Sequence, residues 1–139
     1  MGNTKTIYQS DREFRIWNYT VSHCSLLLRS EMSFIGEDNF SEELSYNIDI
    51  EISGVSFIGI PTTLRSLKIK EISEDLLPDH IDKELCKYDL KIFEFEEESK
   101  RYYIIAAGLM IATNKWDLNQ DRILSYHLGL QHDKVIITA

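Results

Sequence analysis

Seven residues, Asn47 to Ser53 (NIDIEIS), constrain the fold more than any other stretch of this chain. Ile48, Ile50 and Ile52 alternate with Asn47, Asp49, Glu51 and Ser53. A period of two sends successive side chains to opposite faces, so this is a β-strand with one face in a core and one face polar. Gly54 interrupts the alternation, as expected of a bulge or a close approach of two backbones. The apolar text resumes in VSFIGI and ends at Pro61, which has no amide proton for a ladder. Alternation returns in LRSLKIKEI, around Leu67 and Ile69.

Other segments read the same way. FRIWNYTV (14–21) is β-branched and aromatic; Phe14 and Ile16 share one side, while Trp17, Tyr19 and Val21 lie across or beyond a bulge. CSLLLRS is a short continuous apolar run, the mark of a strand buried on both faces. YDLKIFEFEEE and RYYIIAAGLMIAT flank Glu98-Ser99-Lys100 as a hairpin, and KVIIT is a last strand. One segment, SEDLLPDHIDKELCK (73–87), has helical chemistry: Pro78 in a first turn, acidic residues after it, and Ile81 and Leu85 four apart. A second short helix is expected in LNQDRILSYHLGL, burying Ile123, Leu124 and Leu128. GEDNFSEE (36–43) reads as turn. Residues 1–12 are polar and expected to be a loosely held, flexible arm before a single β-rich domain over 13–139. Six or seven strands without βαβ alternation imply an all-β or β-rich fold, a mainly antiparallel sandwich or partly closed barrel with one or two short helices.

With 139 residues, of which 43% are hydrophobic and 27% charged, the chain can build a core without metals or disulfides. Its net charge of −8 argues against nucleic acid, whose phosphates are met by basic stripes, and against anionic membranes. No apolar run reaches the roughly 18–20 residues that span a bilayer. The same charge favours a basic protein partner. Cys24 and Cys86 fit reduced thiols in a cytoplasmic protein, with Cys24 expected to fill core space. Met1-Gly2 followed by Thr6 formally matches a myristoylation pattern, and Asn18-Tyr19-Thr20 and Asn39-Phe40-Ser41 match the glycosylation pattern; these degenerate matches carry no assignment.

Motifs for chemistry are sparse. Asn114-Lys115-Trp116-Asp117 resembles the guanine-reading N-K-x-D element of GTPases. That element works beside a phosphate loop, and the nearest candidate, Gly54 to Gly59, is followed by Ile60 and Pro61 where Lys and Ser/Thr are needed. Asn114-Lys115 is therefore expected to turn the chain, with Trp116 covering the core and Asp117 starting a helix. Gly54-Val55-Ser56 opens like a nucleophile elbow but lacks its closing glycine at the required spacing. His127 and His132 are five apart, which suits neither adjacent helical turns nor one strand face, and no C-x-x-C occurs; no metal site and no cofactor are expected. Carboxylates are plentiful: Asp49 with Glu51, Glu71 with Glu74 and Asp75, and Glu94 to Glu98.

Residues 14–30, FRIWNYTVSHCSLLLRS, concentrate Trp17, Tyr19, His23 and Arg29, residue types favoured as binding anchors. This stretch, with NIDIEISGV and IPTTL after it, resembles small bacterial proteins of unassigned function, some treated as immunity partners of secreted toxins. The resemblance spans residues 14–70 and implies a small, cytoplasmic, β-rich domain; it carries over no catalytic residue. The expectation is a non-catalytic interaction protein, for example one that neutralises a basic toxin or effector. Trp17, Tyr19, His23 and Arg29 would supply anchors, and Asp49, Glu51, Glu96, Glu97 and Glu98 would steer a basic partner. The alternatives are a small-ligand sandwich or barrel with a pocket of Trp17, Tyr19 and Tyr102 or Tyr103, and, third, an enzyme with a dispersed site. Whether His23, Arg29 and Asp49 converge is left to the fold.

Overall fold

A computed structural model describes residues 3–33, 41–117, 120–122 and 131–139. The turn-rich stretch expected at 36–43 falls largely outside them, as do Met1, Gly2 and the second expected helix with Ile123, Leu124 and Leu128.

Two antiparallel sheets face one another, built from eleven strands among the described residues rather than six or seven. In chain order they are β1 (Thr4–Gln9), β2 (Glu13–Thr20), β3 (Ser25–Ser30), β4 (Asn47–Ser53), β5 (Phe57–Gly59), β6 (Thr63–Arg65), β7 (Leu67–Ile72), β8 (Lys91–Glu97), β9 (Lys100–Ala106), β10 (Gly108–Asn114) and β11 (Lys134–Thr138). One sheet has the order β1-β7-β8-β9-β5 and the other β11-β10-β4-β3-β2-β6. The fold is an open sandwich, not a barrel. The expected count was low because apolar runs that read as one strand are each cut where the chain changes sheet. RYYIIAAGLMIAT, for instance, is β9 in one sheet and β10 in the other.

Those crossings explain two backbone specialities. At Gly54 the chain leaves β4 for the opposite sheet; at Ala107 it returns from β9. The two crossings touch: the Ala107 N–H donates to the carbonyls of Ser53 and Gly54. Gly54 has φ +61°, and a Cβ there would lie 2.7 Å from the Ala107 Cβ. Substituting Gly54→Ala therefore adds a left-handed penalty to a clash with the Ala107 methyl at an exposed crossing, and a loss of about 1–2 kcal/mol is expected in urea unfolding. A loss below about 0.5 kcal/mol would show that the crossing has slack. The same device recurs where β1 leads to β2 and β6 to β7: Ser10 N–H bonds the Leu67 carbonyl, and Ser66, with φ +51°, bonds that of Arg12.

Between the sheets lies one apolar core. Phe14, Leu26, Leu28, Ile50, Ile52 and Leu64 come from the six-stranded sheet, and Leu67, Ile69, Phe93, Phe95 and Ile104 from the other. The isoleucines of NIDIEIS thus face inward. Residues 4–9, expected in a flexible arm, form β1 against β7, with Ile7 and Tyr8 packed on the core. An edge strand needs only a few inward apolar groups, so its polar outer positions disguise it.

Each sheet's outer face carries its own cover. On the five-stranded sheet residues 73–90 fold back over Ile72, Ile92, Tyr103 and Ile105, burying Leu77 and Ile81 in a second small cluster. The helix expected there is replaced by two 3₁₀ turns, Glu74–Leu76 and Lys83–Cys86. Leu77 precedes Pro78 and is held extended (ψ 134°). Asp82 is also extended and caps the second turn by accepting the Glu84 N–H at 2.9 Å. The proline restricts its predecessor and splits the segment, so the four-residue apolar spacing docks without a continuous helix. Beyond this cover, Glu94 receives the Tyr103 hydroxyl at 3.3 Å, and burial followed by that carboxylate pushes the phenol up. On the six-stranded sheet the outer face is polar and is roofed, among the described residues, by Trp116, Gln120, Asp121, Arg122 and His132. No helix of the described residues is long and apolar enough to cross a membrane.

Candidate functional site

Among the described residues, the outer face of β3, β4 and β10 carries a buried, hydrogen-bonded network of polar groups. β4 presents Asn47, Asp49 and Glu51 there because the isoleucines between them take the core. Antiparallel register sets Arg29 of β3 and Ala112 of β10 on either side of Asp49. The small Ala112 leaves room above the sheet, while Arg29 lies across Asp49 in a two-pronged ion pair. Arg29 Nε donates to Oδ1 at 2.6 Å and Nη2 to Oδ2 at 2.8 Å, with side chains 1% and 0% exposed. Nη2 also reaches the Gln120 carbonyl at 2.8 Å. The guanidinium carbon stands 5.3 Å from the centre of the Trp17 ring. Trp17 is the extra residue of a bulge between Ile16 and Asn18, which turns the indole onto this face. Nη1 of Arg29 is buried without a hydrogen-bond partner among the described residues.

Around this pair runs a network closed on itself. Asn47 Oδ1 accepts the Met32 N–H at 2.8 Å, and its amide donates to Asn114 Oδ1 and the Trp116 carbonyl. Asn114 Oδ1 also accepts the Trp116 N–H at 3.1 Å. Two donors on that oxygen orient the amide, so Nδ2 donates to Asp49 Oδ2 at 2.9 Å and faces His132 Nδ1 at 3.2 Å. Nδ1 is then an acceptor and Nε2 carries the proton that bonds Glu51 Oε2 at 2.7 Å. Arg122 Nε stands 3.7 Å from the other Glu51 oxygen, and Trp116 stacks on the imidazole with centroids 4.6 Å apart.

Asp49, Glu51 and His132 each offer a ligand atom, all within 4.8 Å of one another, and so form a metal-capable grouping. Their bonding serves a different purpose. Both Asp49 oxygens accept from Arg29, and both His132 nitrogens are engaged, Nδ1 by the Asn114 amide and Nε2 by Glu51. Two guanidinium groups, of Arg29 and Arg122, already neutralise the carboxylates. What this bonding does is fix Trp116, Gln120, Arg122 and His132 onto the sheet.

The residues singled out in the sequence scatter around this centre. Arg29 and Asp49 meet, with Trp17 above and Glu51 alongside. His23 does not join them: it lies in the exposed turn Val21–Cys24, before the start of β3, about 20 Å along the strand from Arg29. Tyr19 is exposed on β2. Cys24, expected in the core, is exposed with φ +48°, because the turn consumes it before β3 begins. On the opposite sheet Glu96 is paired with Lys70 at 3.1 Å and lies 3.6 Å from Arg101. The Lys70 hydrogen bond holds its carboxyl below the usual range. Glu97 accepts the Arg65 N–H at 2.6 Å, and Glu98 caps the exposed β8–β9 turn at φ +55°. The aromatic groups expected to share a pocket diverge: Tyr102 packs on the main core, Tyr103 in the outer cluster, and Trp17 on the other sheet.

Asn47, Asn114, Gln120 and His132 went unnoticed as members of one site. Asn47 was legible, since it shares the period-two face of Asp49 and Glu51. His132 was not, because 81 residues separate it from Glu51. Trp116, expected over the core, covers His132 instead.

A second polar centre lies by the β1–β2 crossing. The Arg12 guanidinium bonds Ser30 Oγ at 2.9 Å and the carbonyls of Ser30, Glu31 and Tyr46, and stands 5.3 Å from the centre of the Tyr46 ring. Burial lowers the pKa of Arg12. A cavity of about 520 Å³ beside it is lined by Asp11, Glu13, Arg15 and Glu31 among others, a mixture of both charges. No family model, no curated protein and no solved structure matches this chain.

Proposed function

We propose that the protein is a non-catalytic, cytoplasmic interaction protein that recognises a basic macromolecule; neutralisation of a basic toxin or effector is the form suggested by its resemblance to immunity-type proteins. The observation that supports this is where the negative charge goes. Asp49, Glu51, Glu94 and Glu96 have cationic neighbours within the fold. The excess is carried instead by the cover of the five-stranded sheet. Residues 73–90 hold six exposed carboxylates (Glu74, Asp75, Asp79, Asp82, Glu84 and Asp89) against Lys83 and Lys87, which is four of the chain's eight net negative charges. Steering by Asp49, Glu51 and Glu96 is thereby transferred to this face, because a charge neutralised beneath the surface projects little field.

Pull-down from the source cell at low salt is expected to recover a basic protein. Its association should weaken at least tenfold as ionic strength rises from about 0.05 to about 0.3 M, since exposed charges are screened over that range. A protein that stays alone at low salt, or a partner held equally well at high salt, contradicts the reading.

A further inference from the structure

The cover of the five-stranded sheet contains a cleft of about 380 Å³, at the lower end of ligand-pocket sizes. Its accessible lining is mainly polar: Glu71, Glu74 and Asp89 supply carboxylates and Lys91 is the one cation, over a small apolar floor of Leu90 with the nearly buried Ile72 and Ile92. Two large apolar side chains stand out from this cover: Tyr88, 91% exposed, beside the cleft residue Asp89, and Leu76, 42% exposed, two residues from Glu74. Tyr88 and Asp89 both have left-handed backbone, φ 67° and 61°, so the chain presents the phenol outward where neighbouring apolar residues turn in. The Cys86 thiol in the cleft is pushed up by burial and then by Glu74, in keeping with the local negative field.

We infer that this cleft, with Tyr88 at its side, is the docking surface for a lysine- or arginine-bearing segment of a protein partner. The inference deepens the basic-partner reading and rests on it. The small apolar floor accommodates the methylene stem of a long cationic side chain, while the carboxylates around it meet its head. Tyr88 supplies a rigid aromatic surface at low entropy cost, the type of residue that anchors interfaces. A cationic head can also approach its ring face. Charge complementarity selects the occupant: an acidic segment or a second copy of this face would bring like charges together.

The test is fluorescence anisotropy of a labelled arginine- and lysine-rich peptide containing one leucine, titrated with the intact protein at low salt. Tyr88→Ala, which leaves the charge unchanged, and the double variant Glu74→Gln/Asp89→Asn are each expected to weaken binding about tenfold. A control, Glu42→Gln/Asp117→Asn, removes the same charge elsewhere and is expected to change it less than about twofold. All five positions are exposed, and circular dichroism verifies folding of every variant. If Tyr88→Ala is silent, or the control weakens binding as much as the cleft variant, the attraction is diffuse and the cleft is overturned while the basic-partner reading stands. If the unaltered protein does not bind the peptide at all, the basic-partner reading falls with it.

Discussion

Replacing Asp49 by alanine is expected to cost about 3–5 kcal/mol of folding stability, among the largest effects of any single substitution in this protein. The loss is not the strength of one contact. Arg29 stays behind at 1% exposure, with its charge no longer compensated, Nε stripped of its acceptor and Nη2 left with the Gln120 carbonyl alone. Nη1 already lacks a hydrogen-bond partner among the described residues, so little reserve remains. Urea unfolding should show a lower midpoint with an unchanged slope, as a change in stability alone requires. Removing both charges is the informative control. Arg29→Leu/Asp49→Leu is expected to recover most of the loss, because two apolar groups leave no buried charge uncompensated. A single variant costing under about 1 kcal/mol would mean that water reaches the pair and that the roof over it is open.

Asn114→Ala is expected to cost about 2–4 kcal/mol, although it removes a neutral side chain and a small volume. The amide joins four partners: Asn47, Trp116, Asp49 and His132. Each is buried or partly buried, and a polar group stranded by truncation costs about 1–3 kcal/mol, less where water can enter. The loss should be local as well as global. Hydrogen exchange at the Trp116 N–H, which bonds Asn114 Oδ1, should accelerate more than exchange in β8 or β9 on the other sheet. Asn114→Asp, nearly isosteric, discriminates further: it sets a carboxylate oxygen where Nδ2 now lies 2.9 Å from Asp49. If the aspartate is tolerated better than alanine, the orientation given to the amide is wrong, and with it the tautomer of His132.

The N-K-x-D tetrapeptide shows how context decides the use of a motif. Asn114 ends β10, and its side chain is taken up by the strand beside it and by the roof above. Lys115 is exposed, and Asp117 accepts the Gln120 N–H through its carbonyl. The amide function that would help hold a guanine in another setting here locks a sheet face. The missing phosphate loop told the two settings apart from sequence, but two of the partners of Asn114, Asp49 and Asn47, lay 65 and 67 residues away.

What the sequence determined by itself was local and periodic. The inward face of NIDIEIS, the break at Gly54, the bulge in FRIWNYTV, the two-sided burial of LLLRS and the β8–β9 hairpin all follow from alternation and turn chemistry over a few residues. Together they were sufficient for a β-rich fold, sandwich or partly closed barrel, since antiparallel strands with one polar face must pair their apolar faces; the open sandwich was decided by the tertiary structure. The tertiary structure decided everything that depends on which strands become neighbours. It cut RYYIIAAGLMIAT between two sheets, drew residues 4–9 into an edge strand, and let Pro78 break a helix whose apolar residues still found their cluster. It also joined Arg29 to Asp49 and His132 to Glu51 while leaving His23 in a distant turn. The physical reason is that a strand's alternation specifies which way each side chain points but not what it meets. Register and sheet order choose the partners, and only then does a row of polar residues become a buried network or an exposed face.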